Sequence, residues 1–290
     1  MGINEPLTWL ESTLRSDPAM KNDHEEPEYL LGTGDDELAR LEFQHQVWRD
    51  ICVESLERAG VRAGQRVLDL GCGPGFAAAE IARMVGDGGA VTLLDESPRW
   101  HRILTERELG APTIRMETTI EDAALEPEAH DVVYSRWVMS FLPDIDAVCR
   151  KVLGTLRPGG AFVVQDYNHD GIGVFPRSQG FEAVVRAARA FYADAGGDAW
   201  VVTRLPAALR RAGFVDVEVR PHAKAGGPAS GVFRWAGAFF PAFSATFVER
   251  GFMTAEEQEL FLSEWASREA DPDALFFSPM VVEISARRPS

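Results

Sequence analysis

Between Val67 and Gly75 the chain reads Val-Leu-Asp-Leu-Gly-Cys-Gly-Pro-Gly, and Phe76 opens a helix-like stretch behind it. An apolar strand running into glycines is suited to ligand binding. Glycine has no Cβ, so the turn can take positive φ and let a ligand lie against the backbone at the carboxyl end of the strand. Spacing then selects the ligand. Counted from Gly71, the dinucleotide pattern G-x-G-x-x-G needs glycine where Phe76 stands, so a nicotinamide oxidoreductase is disfavoured. No Gly-Lys-Ser or Gly-Lys-Thr follows, which excludes a nucleoside-triphosphate loop. The run is D-x-G-x-G-x-G instead. A second carboxylate ends the segment Val91-Thr92-Leu93-Leu94-Asp95. One Asp there can accept from both hydroxyls of a ribose, and its charge repels a 2′-phosphate, so an adenosine without that phosphate fits. Asp95 could equally help to start the next helix, where Ser97-Pro98 has the cap and first-turn residues.

The elements that must position these residues follow from periodicity. Apolar residues from Leu38 to Leu56 recur at helical spacing, which predicts a helix over Asp35 to Ala59 ending at Gly60. Strands are expected at Arg66 to Leu70, Ala90 to Leu94, Asp131 to Ser135 and Ala161 to Gln165, with a fainter one at Thr113 to Glu117. Helical stretches separate them, at Phe76 to Val85 and Ile145 to Leu156. Later come helices around Phe181 to Ala193 and Leu205 to Ala212, then strands at Val215 to Arg220 and Met280 to Ala286. Alternating strands and helices imply an α/β fold, Rossmann-like and doubly wound, with a mostly parallel sheet covered on both faces. The interval from Gly231 to Ala270 is too long for a loop and contains Trp235, Phe239, Phe240, Phe243, Phe247, Phe252 and Trp265, so it reads as inserted helices. The expected division is an arm and helical cap over 1–60, a core over 61–230, a helical insertion over 231–275 and a final core strand over 276–290.

Composition narrows the partners. A 290-residue chain with 46% hydrophobic residues can bury one large core. Its formal charge of -16 argues against nucleic acid, whose phosphates would be repelled. Cys52, Cys72 and Cys149 form no C-x-x-C pair and no His cluster accompanies them, so neither a disulfide framework nor a metal site is expected. The acidic beginning lacks a signal-peptide pattern, and no stretch approaches the ~20 apolar residues of a membrane span. A cytoplasmic protein without a membrane partner is the expectation.

With Val67 to Gly75 and Asp95 in place, the chain resembles the class I S-adenosylmethionine-dependent methyltransferases. The likeness is to the small-molecule branch with the ubiquinone and menaquinone biosynthesis enzymes, and it covers roughly Tyr29 to Phe214. That resemblance implies a seven-stranded sheet and S-adenosylmethionine as cofactor, with S-adenosylhomocysteine as product and no metal. It further implies that Asp69, Gly71, Cys72, Gly73 and Gly75 face the methionine part, Asp95 with Glu96 the ribose, and Thr119, Ile120 and Glu121 the adenine. Many relatives have Gly-Asp at this last point; Thr118-Thr119 departs from it, while Ile120-Glu121 matches a branch with an apolar residue before Glu. Ser135 and Arg136 would line the methionine end, and Trp137 and Tyr167 the acceptor pocket. Tyr29, Arg40 and His45 fall in a segment resembling an amino-terminal helix over the cofactor, where Arg40 could pair with the cofactor carboxylate and His45 approach the acceptor. Leu156-Arg157-Pro158-Gly159-Gly160 matches the family's turn into strand five.

Methyl transfer is an in-line displacement from an already activated sulfonium, so alignment and exclusion of water are the main demands. If the small-molecule acceptor must lose a proton, Asp166 and His169 are the candidate bases; the competing reading is that each serves only local hydrogen bonding. The aromatic insertion would suit a lid over an apolar acceptor, and would equally serve core packing or a homodimer interface. Transfer of another group from the same cofactor, and a non-catalytic module that binds it, remain rival readings.

Overall fold

The computed structural model describes residues 34–290. Its centre is a seven-stranded sheet: β1 (Arg66–Leu70), β2 (Ala90–Asp95), β3 (Thr113–Glu117), β4 (His130–Arg136), β5 (Leu156–Asn168), β7 (Val215–His222) and β10 (Met280–Arg287). The spatial order is β3-β2-β1-β4-β5-β10-β7; β10 runs antiparallel to both of its neighbours and the other pairings are parallel. The order reverses beside β1, so the crevice at its carboxyl end is the switch point where such sheets bind ligands.

Period-two alternation explains both faces. Leu68, Leu70, Val133, Phe162 and Val164 pack on one side with α4 (Ile145–Thr155) and α6 (Leu205–Ala212). Val67, Val132, Tyr134, Ala161 and Val163 face the other side, under α1 (Asp35–Ala59) and α2 (Phe76–Val85). Helix α3 (Pro98–Glu106) starts at Ser97, whose side chain accepts from Trp100 N–H with Pro98 in the first turn, as the Ser-Pro pair suggests.

The remaining helices form a third, aromatic core. Helix α5 (Gln179–Asp194) packs with α7 (Gly231–Glu249) and α8 (Ala255–Ala270) through Phe181, Phe191, Phe233, Phe247, Phe261 and Trp265, all buried. Thr254 caps α8 in a reciprocal box with Glu257. Two features differ from the sequence expectation. Short strands β6 (Gly173–Phe175), β8 (Ala225–Gly226) and β9 (Leu275–Phe277) make a separate antiparallel sheet in the order β6-β9-β8. Segments of two or three residues are too short to show a period, and only Phe276 and Val174 point inward. Strand β5 also runs on to Asn168, because β10 pairs with it from Ala161 to Asn168. Asp166, Tyr167 and Asn168 therefore extend the ladder beyond Gln165.

Candidate functional site

The glycine turn between β1 and α2 borders a cavity, and each glycine has its own reason. Gly71, Gly73 and Gly75 all take positive φ. A Cβ on Gly71 would lie 2.4 Å from Val138, and one on Gly75 2.3 Å from Leu104, so both are demanded by packing; a Cβ on Gly73 would meet nothing within 4 Å among the described residues. Gly73 is the point where backbone faces the cavity, as close ligand approach requires. Asp95 braces this turn. Its Oδ2 accepts from Gly73 N–H at 2.8 Å and its Oδ1 from Ser97 N–H at 3.0 Å. Both readings of Asp95 thus have a physical counterpart, since a carboxylate so held keeps further lone pairs for a ribose.

The site has two adjoining chambers that share the lining residues Gly71, Trp137, Val138 and Phe141. One is bordered by Asp95, Glu96, Thr119, Ile120 and Glu121. Its floor is fixed by Lys151, whose ammonium donates to the carbonyls of Ile120, Glu121 and Ala123, and by Thr118 N–H donating to Asp95 O at 3.1 Å. Thr119 Oγ is engaged with Asp122, donating at 2.9 Å and accepting at 3.1 Å.

The other chamber is bordered by Asp69, Cys72, Gly73, Arg136 and Trp137 on the turn side, and by Tyr167, His169, Tyr192, Trp235 and Phe239 opposite. Asp69 Oδ2 and Arg136 Nη1 are buried there with no hydrogen-bond partner among the described residues. Burial pushes the Asp69 carboxyl up to about 7; Arg136 opposes the rise and Asp95 adds to it. One unpartnered acid oxygen and one unpartnered guanidinium nitrogen on one cavity match the ammonium and carboxylate of a free amino acid. The methionine end of S-adenosylmethionine has both, with adenosine left for the Asp95 chamber, so the residues present fit that cofactor.

Aromatic stacking builds the far wall. Trp137 lies against Tyr167 at 5.5 Å and 14°, and Tyr167 against Trp235 at 6.4 Å and 29°. Trp137 is held with φ of 58° while its backbone N–H donates to Gln165 O at 2.8 Å, a conformation that costs a bulky residue and sets this ring at the junction of the chambers. Burial, with Arg189 nearby, pushes His169 down to about 4, so its imidazole is neutral at physiological pH. Burial lifts the Tyr192 phenol to about 12, which keeps it protonated.

Several expected site residues stand elsewhere. Asp166 is fully buried inside β5, accepting from Ser140 N–H at 3.0 Å and Tyr167 N–H at 2.8 Å, and does not border the cavity. Through Ser140 it pins the turn after β4. Ser135 is likewise buried and donates to Leu70 O at 3.1 Å. Gly75 sits under Leu104, outside both chambers. Arg40 borders the cavity, but Glu37 holds its Nε and Nη2 at 2.7 Å each and Gln44 its Nη1 at 3.1 Å. A guanidinium so committed is already neutralised, whereas Arg136 keeps a nitrogen without a partner among the described residues. His45 lies behind Arg136 and borders neither chamber. Tyr29 lies outside the described residues. Glu37, Phe141 and Tyr192 border the cavity without having been expected there. Ala188 and Tyr192 are four apart on α5, so helical phase groups them, but only the tertiary packing shows which element that face meets.

Part of the chain is similar to known methyltransferases. Residues 68–164 match the family model described as a methyltransferase domain. Over 128 residues the chain is 31% identical to the ubiquinone/menaquinone biosynthesis C-methyltransferase of Shewanella woodyi, covering 43% of this chain and 50% of that protein. Over 107 residues it is 35% identical to the ubiquinone biosynthesis O-methyltransferase of Proteus mirabilis, covering 36% and 42%. The chain thus spans about half the length of the curated relatives it matches. Among solved structures, phosphoethanolamine N-methyltransferase 2 of Haemonchus contortus, in complex with phosphomonomethylethanolamine and S-adenosylhomocysteine, superposes with a TM-score of 0.52 at 18% identity. That match covers 88% of this chain and 58% of that one. Residues 68–164 thus resemble a methyltransferase domain, and the seven-stranded, mostly parallel sheet is a Rossmann-like fold shared with that solved methyltransferase.

Proposed function

We propose that this protein transfers a methyl group from S-adenosylmethionine to a small-molecule acceptor held in the aromatic chamber. The observation that carries this reading is the pair of unpartnered atoms, Asp69 Oδ2 and Arg136 Nη1, beside a glycine turn that opens toward the Asp95 chamber. When bound, S-adenosylmethionine supplies a methyl group on a positively charged sulfur that leaves as a neutral sulfide. The chain's own residues hold and orient. Asp95 is placed to accept from ribose hydroxyls, and the Thr119-Ile120-Glu121 turn to border the adenine. Asp69 would take the ammonium and Arg136 the carboxylate of the methionine part. Trp137 bounds both chambers, so it aligns an acceptor with the methyl group and keeps water from between them.

On the acceptor side, Tyr167, Tyr192, Trp235 and Phe239 offer broad faces to a flat or apolar molecule. His169 is the titratable group of that wall with an available lone pair, and its neutral imidazole can accept a proton from a hydroxyl or amine acceptor. Asp166, held by backbone N–H groups, keeps the strand end in place instead.

Incubation with S-adenosylmethionine labelled on the methyl group and a small-molecule extract tests the reading. Label should pass into a low-mass product with an equal amount of S-adenosylhomocysteine formed. Tight binding of the cofactor without transfer to any acceptor would overturn it in favour of a non-catalytic module.

A further inference from the structure

We propose that His45, on α1, is a positioning residue that aims Arg136 at the methionine carboxylate and so couples the seating of α1 to cofactor binding; this rests on the cofactor reading above. Arg136 Nη2 lies 3.0 Å from His45 Nδ1. A guanidinium has only donors, so Nδ1 must be the bare nitrogen and the ring proton resides on Nε2. Nε2 in turn faces Glu80, 3.7 Å away. Glu80 is itself gripped by Arg49, Nε to Oε1 at 2.5 Å and Nη2 to Oε2 at 2.8 Å. The imidazole also stacks on Phe76, with centroids 5.8 Å apart and planes 17° from parallel.

These contacts form a small lattice between two helices. His45 and Arg49 are four apart on α1, Phe76 and Glu80 four apart on α2, and each pair presents one helical face to the other. Helix α2 begins at the glycine turn, so α1 is registered directly on the ligand-binding backbone. With the ring fixed, Nη2 of Arg136 is occupied from behind and the guanidinium plane is further held over Trp137, 4.7 Å from the ring centre. Nη1 is thereby left unpartnered in a residue that borders the cavity with Asp69. Phe76, which broke the dinucleotide pattern, acquires a purpose here: it supplies the face against which His45 is held.

Two substitutions separate the hydrogen bond from the packing. His45→Phe keeps a ring for Phe76 and removes the acceptor; His45→Asn keeps an acceptor near Nδ1 and removes the ring. Affinity is measured by calorimetry for S-adenosylhomocysteine and for 5′-methylthioadenosine, which has the adenosine and sulfur but no amino-acid end. His45→Phe should weaken S-adenosylhomocysteine by about tenfold, corresponding to one charge-assisted hydrogen bond, and leave 5′-methylthioadenosine within about twofold. His45→Asn should recover most of that loss. Equal weakening of both ligands would reduce His45 to a packing residue, and unchanged S-adenosylhomocysteine binding in His45→Phe would show that Arg136 needs no such support; either overturns the proposal. Failure of the unsubstituted protein to bind either ligand would instead remove the cofactor reading, and the inference with it.

Discussion

At the scale of single residues, the site depends on charges kept in unfavourable surroundings. Asp69 has a folded pKa near 7 against an ordinary value of 3.8, raised chiefly by burial. Its protonated form is therefore favoured by folding, and the stability this gives declines as pH rises from about 4 to about 7. An ammonium beside the carboxylate would reverse that preference, so binding should release a proton. Affinity for S-adenosylhomocysteine is expected to rise from pH 5.5 to 7.5, whereas 5′-methylthioadenosine, which has no ammonium, should show no such rise. Titration calorimetry of both ligands across that range checks it, and Asp69→Asn should flatten the first curve. Residue identity was legible where motif spacing constrained it, as at Asp69, Gly73 and Asp95. It was illegible where contact decides the role. Asp166 and His169 are three apart around one strand end, yet one is sealed in the ladder and the other borders the cavity. Sequence has no means of separating Arg40 from Arg136 either, because the distinction is that Glu37 already occupies the first.

At the scale of elements, the glycine turn makes a sharper test than any single contact. Gly75→Ala would drive a methyl group to 2.3 Å from the buried Leu104 side chain at a positive φ. Overpacking of that kind costs about 1–3 kcal/mol, so the melting temperature should fall clearly while any folded fraction still binds ligand. Gly73→Ala meets no neighbour and should lose only the roughly 1 kcal/mol of an unfavourable φ, yet its methyl group would project where ligand must approach. Thermal unfolding and ligand affinity measured on both variants should therefore separate, stability failing in one and binding in the other. Equal effects on both quantities would mean that the turn is only structural. The long strands and helices of the core follow from periods of 2 and 3.6 in the sequence. The three-stranded sheet of β6, β9 and β8 does not, because its strands are too short for a period and exist through pairing between residues far apart in the chain.

At the scale of the whole molecule, the parallel order β3-β2-β1-β4-β5 with β10 inserted before β7 places every ligand-facing loop of β1, β2 and β4 at one edge. The alternation of strands and helices made that architecture readable. The acceptor side was less readable, since it is assembled from α1, β5, α5 and α7, elements whose mutual approach only the fold defines. No helix among the described residues is long and apolar enough to cross a membrane. The division of labour between the two chambers is the central claim, and a crystal structure of the protein with S-adenosylhomocysteine tests it most directly. The ribose should lie on Asp95, the ammonium at Asp69 Oδ2 and the carboxylate on Arg136 Nη1, with the sulfur facing Trp137 and Tyr167. A ligand bound away from the glycine turn, or one whose carboxylate displaces Glu37 to reach Arg40, would contradict it.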